Sequence, residues 1–559
     1  MKLYQQLSVV FFSVVVGVTS YAQNNYPTNY FRNPLSIPIY LAGNFGECRP
    51  NHFHSGIDIK TLGQENMSVH AAASGYVSRI KLDAVGFGHA IYITHPNGFT
   101  TLYAHLNDFE PKLQAFVKVQ QYAQKKWNID VTLKPDQFPV SQGQFIAYSG
   151  NTGSSTAPHL HFEIRNTLSE HPLNPMLFGL PIADTVAPIP VALYVYDRTA
   201  SIYGKPNKAY TLQKVNREYL VTEPISISTP APGFGLQIND FMQGSTNTLT
   251  YYTCKLFVDQ QLVQTITFDN IGYDVTRYMH AFIDYPFYKT NKDWIQLLFC
   301  LPGNELKHIY ANPTQQFNWN ANERHALEIE CIDANGNSVF IKANIVVGAI
   351  DTINKSYTLL PNKAYTYQTA EALITLPENT VYDKLDFNPR INKNAKALSA
   401  QVITNQLSAP LHKAMRIAIR PNQELLTHLQ NKVVMQMVAF QDTSYKAAIL
   451  DEDRYVVTTK ELASFQLAID TTAPTIITIS NAKHGVFKDE LRFKVKDSYT
   501  SIISFQCSID KQWVCFEQRG TEWFYKFDEH CKPGKHHLEA IATDENGNKK
   551  TLSFNFISK

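Results

Sequence analysis

Two motifs occur twice in the C-terminal two thirds of this chain, and they limit what it can fold into. Asp184-Thr185-Val186-Ala187-Pro188 returns as Asp470-Thr471-Thr472-Ala473-Pro474. His325-Ala326-Leu327-Glu328, followed by Asp333-Ala334-Asn335-Gly336-Asn337, returns as His536-His537-Leu538-Glu539, followed by Asp544-Glu545-Asn546-Gly547-Asn548. An Asn-Gly pair tolerates the positive φ of a tight hairpin turn, and each pair here joins two alternating strands. Each copy therefore reads as one β-sandwich module that opens at Asp-Thr-x-Ala-Pro and closes with a hairpin. The modules span 184–350 and 470–559. The first is enlarged by strands such as Leu249–Val258 and by the aromatic stretch Tyr273–Tyr288. Between them, 355–469 reads as a further β-rich domain with apolar runs such as Val433–Phe440. The histidines of the tail, His280, His308, His412 and His428, are scattered and read as single polar residues on β surfaces. No second metal constellation is expected there.

The 559 residues are too many for a single core. A formal charge of +2 leaves no basic excess for nucleic acid, which is not expected as a partner. Met1–Ala22 reads as a secretory signal: Lys2 supplies positive charge, Leu7–Val18 is a short apolar core, and Ser20-Tyr21-Ala22 suits cleavage. No later apolar run is long enough to cross a bilayer. The expected location is therefore exported: the periplasm or cell envelope, or the medium. The seven cysteines form no Cys-x-x-Cys pair, which argues against a cysteine zinc site. Export permits disulfides, and two of Cys507, Cys515 and Cys531 are close enough in sequence to pair, with the connectivity left open.

The chemistry lies in the first third, 24–182. Ser149–Arg165 begins as a Gly/Ser/Thr loop and ends with Leu160, Phe162 and Ile164 alternating against His159, His161, Glu163 and Arg165. Side chains two apart on a strand share a face, so His159 and His161 point the same way. Imidazole ligates zinc when neutral and moves protons near neutral pH. Glu163 lies on the same face, where it would orient a ligand or end in solvent. Asn51–Lys60 holds His54 and Asp58, with Gly56 between them marking a turn rather than a helix. His52 competes for the same role. Short strands follow at Ser68–Ala72, Tyr76–Ile80, Ala90–Thr94 and Thr100–His105, punctuated by glycines in an antiparallel pattern. His70, His89 and His95 read as structural or surface residues. A helical insertion occupies about 108–140: Pro111 suits a first turn, and Leu113, Phe116 and Val117 share a face. It is expected to pack beside the catalytic groove.

His54-x-x-x-Asp58, Tyr103-Ala104-His105-Leu106 and Gly153–Glu163, in this order and separated by strands, resemble the LytM/lysostaphin-type zinc metallopeptidases of family M23. Ala157 stands where that family often has glycine. The resemblance covers about 30–180. It implies one zinc held by His54, Asp58 and His161, with His105 and His159 as catalytic residues. It also implies endopeptidase action on the cross-links or stem peptides of peptidoglycan. Three ligands and an open fourth position mark a catalytic rather than a structural zinc. The tail modules resemble bacterial immunoglobulin-like domains, a scaffold that implies no single function. The expected fold is mostly β: an antiparallel M23 sheet with a small helical insertion, then two to three β-sandwich domains. Two alternatives remain at this level. One is a catalytically silent regulator of another wall hydrolase. The other is a wall-binding protein acting through its β domains, which would also serve an envelope protein partner.

Overall fold

The computed structural model describes residues 26–204, 208–351, 356–480 and 485–559. The expected signal segment lies outside them. Among the described residues no helix is long and apolar enough to cross a membrane.

The N-terminal domain is organised by one antiparallel sheet whose main path runs β1-β2-β10-β6-β5-β4-β7. Its strands are β1 Leu41–Gly43, β2 Ile57–Lys60, β3 Ser68–His70, β4 Gly75–Leu82, β5 His89–Thr94, β6 Phe99–Phe109, β7 Ile129–Thr132, β8 Pro139–Val140, β9 Phe145–Ser149 and β10 His159–Asn166, with the short β11 Pro172–Leu173 paired to the end of β10. Strands β3, β8 and β9 flank this path. β10 lies between β2 and β6, with His161 opposite Asp58 on one side and Ala104 on the other. Both edges of β10 are thus paired, and its two faces are largely covered by other parts of the chain. Leu160, Phe162 and Ile164 are fully buried, and on the polar face Glu163 and His161 are buried, at 0% and 3% exposure, while His159 is part-exposed.

The insertion contains helix α1, Pro111–Gln124, with Glu110 accepting from the Lys112 and Leu113 amides at its start. Leu113 and Val117 face the core. Its other face meets the last module of the chain. Lys118 Nζ lies 2.7 Å from both Asp528 Oδ2 and Glu529 Oε2, and Tyr122 stacks on His530 at 3.9 Å.

The tail forms three β units, each of two sheets. The first combines a sheet containing Ile189–Asp197 and Pro232–Asn239 with one containing Thr253–Val258, Arg324–Ile332 and Ser338–Val347. The aromatic stretch is not strand. It forms short helical turns, Thr276–Tyr278, Met279–Phe282 and Tyr285–Asn291, in which Pro286 takes an early helical position and Asp284 caps the Phe287 amide. His280 is no surface residue either: it is 1% exposed and its Nε2 meets the Pro50 carbonyl at 3.0 Å. His412 stacks on Tyr278 at 4.1 Å. All seven cysteines are thiols.

The core of the first β unit extends into the N-terminal domain. Phe45, Cys48 and Phe53, from the loop between β1 and β2, belong to the tail's core rather than to that of the sheet they flank. Phe53 packs between Phe268 and Phe282, with ring centroids 5.8 and 5.6 Å away.

Candidate active site

The turn before β2 brings His54 to the strand that carries Asp58. Gly56 is required there, because a Cβ at that position would fall 2.3 Å from the Phe162 carbonyl oxygen. β10 presents His161 opposite Asp58. Three ligand atoms therefore meet: His54 Nε2 lies 3.0 Å from Asp58 Oδ1 and 3.0 Å from His161 Nδ1, and His161 Nδ1 lies 2.9 Å from Asp58 Oδ1. All three residues are buried. His52, the sequence competitor, is exposed and takes no part in this group.

The outer atoms of the rings decide what the inner ones can do. His54 Nδ1 faces the Asn44 carbonyl oxygen at 2.8 Å, so it carries a proton and donates it. His161 Nε2 faces Glu163 Oε1 at 2.9 Å and is held in the same way. With both outer nitrogens committed as donors, both neutral rings turn a lone pair toward the carboxylate oxygen of Asp58. Three electron-rich atoms at this separation call for a positive charge between them. The electrostatics agree. Burial opposes charge on Asp58, but His54, His159 and His161 outweigh it and hold its pKa well below the usual carboxylate range. Burial likewise opposes charge on His161, yet Asp58 and Glu163 hold that ring up to about 9. The site favours one cation, and a proton competes with a metal for the place.

Several supporting residues escaped the sequence reading. Arg49 Nη2 lies 2.9 Å from Asp58 Oδ2, occupying the oxygen that faces away from the cluster, and 3.3 Å from Glu47 Oε2. Glu47 is pushed up to about 7 by burial, with Arg49 opposing and Asp58 adding to the shift. Glu163 accepts from Ser55 Oγ at 2.6 Å, from Arg165 Nε at 2.6 Å and from the Tyr273 hydroxyl at 2.7 Å. Tyr273 belongs to the tail, so the network around His161 is completed from the far side of the domain boundary. Nothing in the local sequence pattern marks Arg49 or Tyr273.

Residues 52–125 and 127–175 match the family model of Peptidase family M23. This segment is an M23 peptidase domain. Residues 356–470 match a Zu5-like domain, over the region expected to be a further β-rich domain. The chain is 34% identical over 128 residues to the DD-carboxypeptidase/endopeptidase Mpg of Neisseria meningitidis, covering 23% of each protein. It is 31% identical over 111 residues to the peptidoglycan DD-endopeptidase ShyA of Vibrio cholerae, covering 20% of each. The chain thus spans about a quarter of the length of the curated relatives it matches. Among solved structures, the catalytic domain of lysostaphin from Staphylococcus simulans is 27% identical, covers 28% of this chain and 92% of its own, and superposes with a TM-score of 0.17.

Two more histidines flank the cluster of the M23 domain. His159 Nε2 lies 3.3 Å from Asp58 Oδ1, and its Nδ1 faces the Ala157 carbonyl oxygen at 2.8 Å. His105 Nδ1 faces the Thr152 carbonyl oxygen at 2.8 Å, and its ring lies 4.8 Å from that of His159. His105 sits where β6 bulges: His89 pairs with Leu106 and Ile91 with Tyr103, one residue out of step. Its φ is +58°, a left-handed conformation that an ordinary residue adopts only under constraint. The bulge turns the His105 ring toward His159. Burial, then His161 and His159, push the His105 pKa down to about 3, so the ring is neutral.

Proposed function

We propose that this chain is an exported zinc endopeptidase acting on the peptides of bacterial peptidoglycan. The observation that carries the reading is the meeting of His54 Nε2, Asp58 Oδ1 and His161 Nδ1 within 3.0 Å, with the free edges of His105 and His159 beside them. Two imidazoles and one carboxylate are a donor set that zinc takes in catalytic sites. Zinc bound by these three residues would polarise a peptide carbonyl and bring the pKa of a bound water to about 7.

The remaining work falls to side chains of this protein. His159 has the better access to substrate, with 15% of its side chain exposed. Its Nδ1–H is committed to Ala157, so Nε2, which lies beside Asp58 Oδ1, is the nitrogen that would accept a proton from the attacking water and later return it to the leaving amine. His105, tied in the same way to Thr152, presents a second lone pair. It becomes an oxyanion donor only after gaining a proton, which burial opposes, so it serves first as an acceptor that orients the water. Arg49 and Glu163 act on the ligands, not on the substrate. The relatives' names, DD-carboxypeptidase/endopeptidase and DD-endopeptidase, support wall peptides with D-amino-acid bonds as the substrate class.

A digest of purified sacculi, with products identified by mass, tests the assignment. Zinc-loaded protein should release peptide products, and His161→Ala should lose both the metal and the activity. His105→Ala and His159→Ala should each keep one zinc per chain while activity falls about 10²- to 10⁴-fold. Full zinc in the His161→Ala variant would overturn the ligand set. Zinc-loaded protein that leaves every wall peptide intact would instead favour a silent regulator.

A further inference from the structure

The repeated motifs converge in space, although they were not expected to form a metal constellation. Asp184, Asp240 and Asp333 bring carboxylate oxygens within 4.8 Å of one another, and Asp470, Asp497 and Asp544 do the same in the last module. The two groups are equivalent position by position. Asp184 and Asp470 open the repeated Asp-Thr-x-Ala-Pro motif, and Asp333 and Asp544 open the repeated hairpin turn. The third member follows a matching strand pair: Ile189 opposite Asn239 precedes Asp240, and Thr475 opposite Lys496 precedes Asp497.

Each group is held open by backbone and amide donors. Asn337 donates its amide N–H to Asp333 Oδ1 at 2.9 Å and its side chain to Asp333 Oδ2 at 2.7 Å; Asn548 does the same to Asp544 at 2.7 and 2.9 Å. Val186 and Thr472 donate to Asp184 and Asp470 at 3.0 and 2.9 Å. These bonds leave acceptors over. Asp240 Oδ1, Asp470 Oδ2 and Asp497 Oδ2 are buried without a hydrogen-bond partner, and Asp240 and Asp470 are 2% and 0% exposed. Among the described residues none of the six carboxylates makes an ion pair. Three mutually repelling charges, two of them buried in each group, are costly without a counter-charge. Burial, then Asp333, and also Asp184, push Asp240 up to about 8, which is the proton's answer to that repulsion.

We propose that each group is a calcium site, one at the start of each β-sandwich module. The donors are all oxygen, which suits a hard cation rather than zinc. Calcium accepts about six to eight oxygens in flexible geometry, as carboxylates drawn from three separate segments would supply, whereas magnesium demands near-ideal octahedral geometry. In the first module the ion joins three parts of the chain: the linker leaving the peptidase domain, the end of Pro232–Asn239 in one sheet and the end of Arg324–Ile332 in the other. Bound calcium thus stiffens the hinge between domain and module. The second site is the weaker, because the Lys432 ammonium already opposes the charge of Asp470.

Titration calorimetry of the full-length, calcium-free chain with calcium chloride alone tests this. Two ions should bind, with dissociation constants of about 1 mM or tighter, as in extracellular calcium modules. Asp240→Asn should abolish the tighter event and Asp497→Asn the weaker one. Calcium should raise the melting temperature of the parent by several degrees. In calcium-free buffer Asp240→Asn should melt no lower than the parent, since it removes a repelling charge, so lost binding is not lost fold. Asp184→Asn, on the part-exposed linker, provides an independent check. Absence of binding, binding of a single ion, binding untouched by these substitutions, or equal affinity for magnesium would each overturn the proposal.

Discussion

Glu163 shows how a single buried charge can organise a site. Removing a carboxylate from water is costly unless every oxygen is matched. Here Ser55, Arg165, Tyr273 and His161 match it, and burial is outweighed by Arg165 and His161, which keep it ionised. Its ionised form in turn fixes the outer nitrogen of His161 as a donor. Arg49 does the corresponding work for Asp58. We expect Arg49→Met and Tyr273→Phe to keep the fold and to weaken zinc binding about 10- to 100-fold, the usual scale for groups that orient a ligand. Competition with a chromophoric chelator measures it, and unchanged affinity in both variants would show that these contacts do not tune the ligands.

At the scale of elements, the bulge in β6 and the loop 150–158 form one device. Thr152 Oγ accepts from the His89 amide at 2.9 Å and donates to the Leu106 carbonyl at 2.8 Å, stapling the loop across the bulge. Its own carbonyl then holds His105. Gly153, at φ +72°, allows the close approach, since a Cβ would lie 2.3 Å from the Gly88 nitrogen. Thr152→Val keeps the shape but leaves a buried donor and a buried acceptor unmatched, a cost of about 2 kcal/mol. Chemical denaturation should report that loss, and the variant should retain zinc while turning over more slowly. Wild-type turnover in a destabilised variant would separate the staple from the chemistry.

For the whole molecule, the tail supports the site as well as following it. Phe45, Cys48 and Phe53 are buried in the tail's core, and Tyr273 reaches Glu163 from there. A fragment ending at residue 182 should therefore expose these side chains, melt lower than the full chain and bind zinc more weakly; equal affinity by titration would argue for a self-sufficient domain. The same boundary carries a pH response. Burial pushes His280 down to about 4, against the opposing pull of its bond to the Pro50 carbonyl; Arg277, His412 and Lys460 push the same way as burial. A histidine with a depressed pKa contributes its full stability above the unfolded value of about 6.5 and loses it as pH falls toward 4. The melting temperature should drop across that window, with a contribution from His280 on the order of 3 kcal/mol at most. His280→Gln should flatten part of the slope, and an unchanged slope would move the response elsewhere.

Alternation and spacing were enough to determine that β10 is a strand with His159, His161 and Glu163 on one face, that a helix starts at Pro111, read as far as Lys126 and ending in the fold at Gln124, and that two modules repeat. These are local properties, set by backbone geometry and by which side chains share a face. The proposed ligand set was legible only through the order of three motifs, because proximity between His54, Asp58 and His161 depends on β2 and β10 being neighbours. Tertiary structure alone decided the rest. The polar face of β10 is buried at Glu163 because Ser55 and the tail's Tyr273 pack over it. The aromatic stretch 273–288 is helical because Pro286 and the Asp284 cap suit a helix, while its rings meet a core drawn from two domains. Six aspartates scattered over the tail became two clusters. Burial, strand order and charge density are properties of the folded arrangement, and no window of sequence contains them.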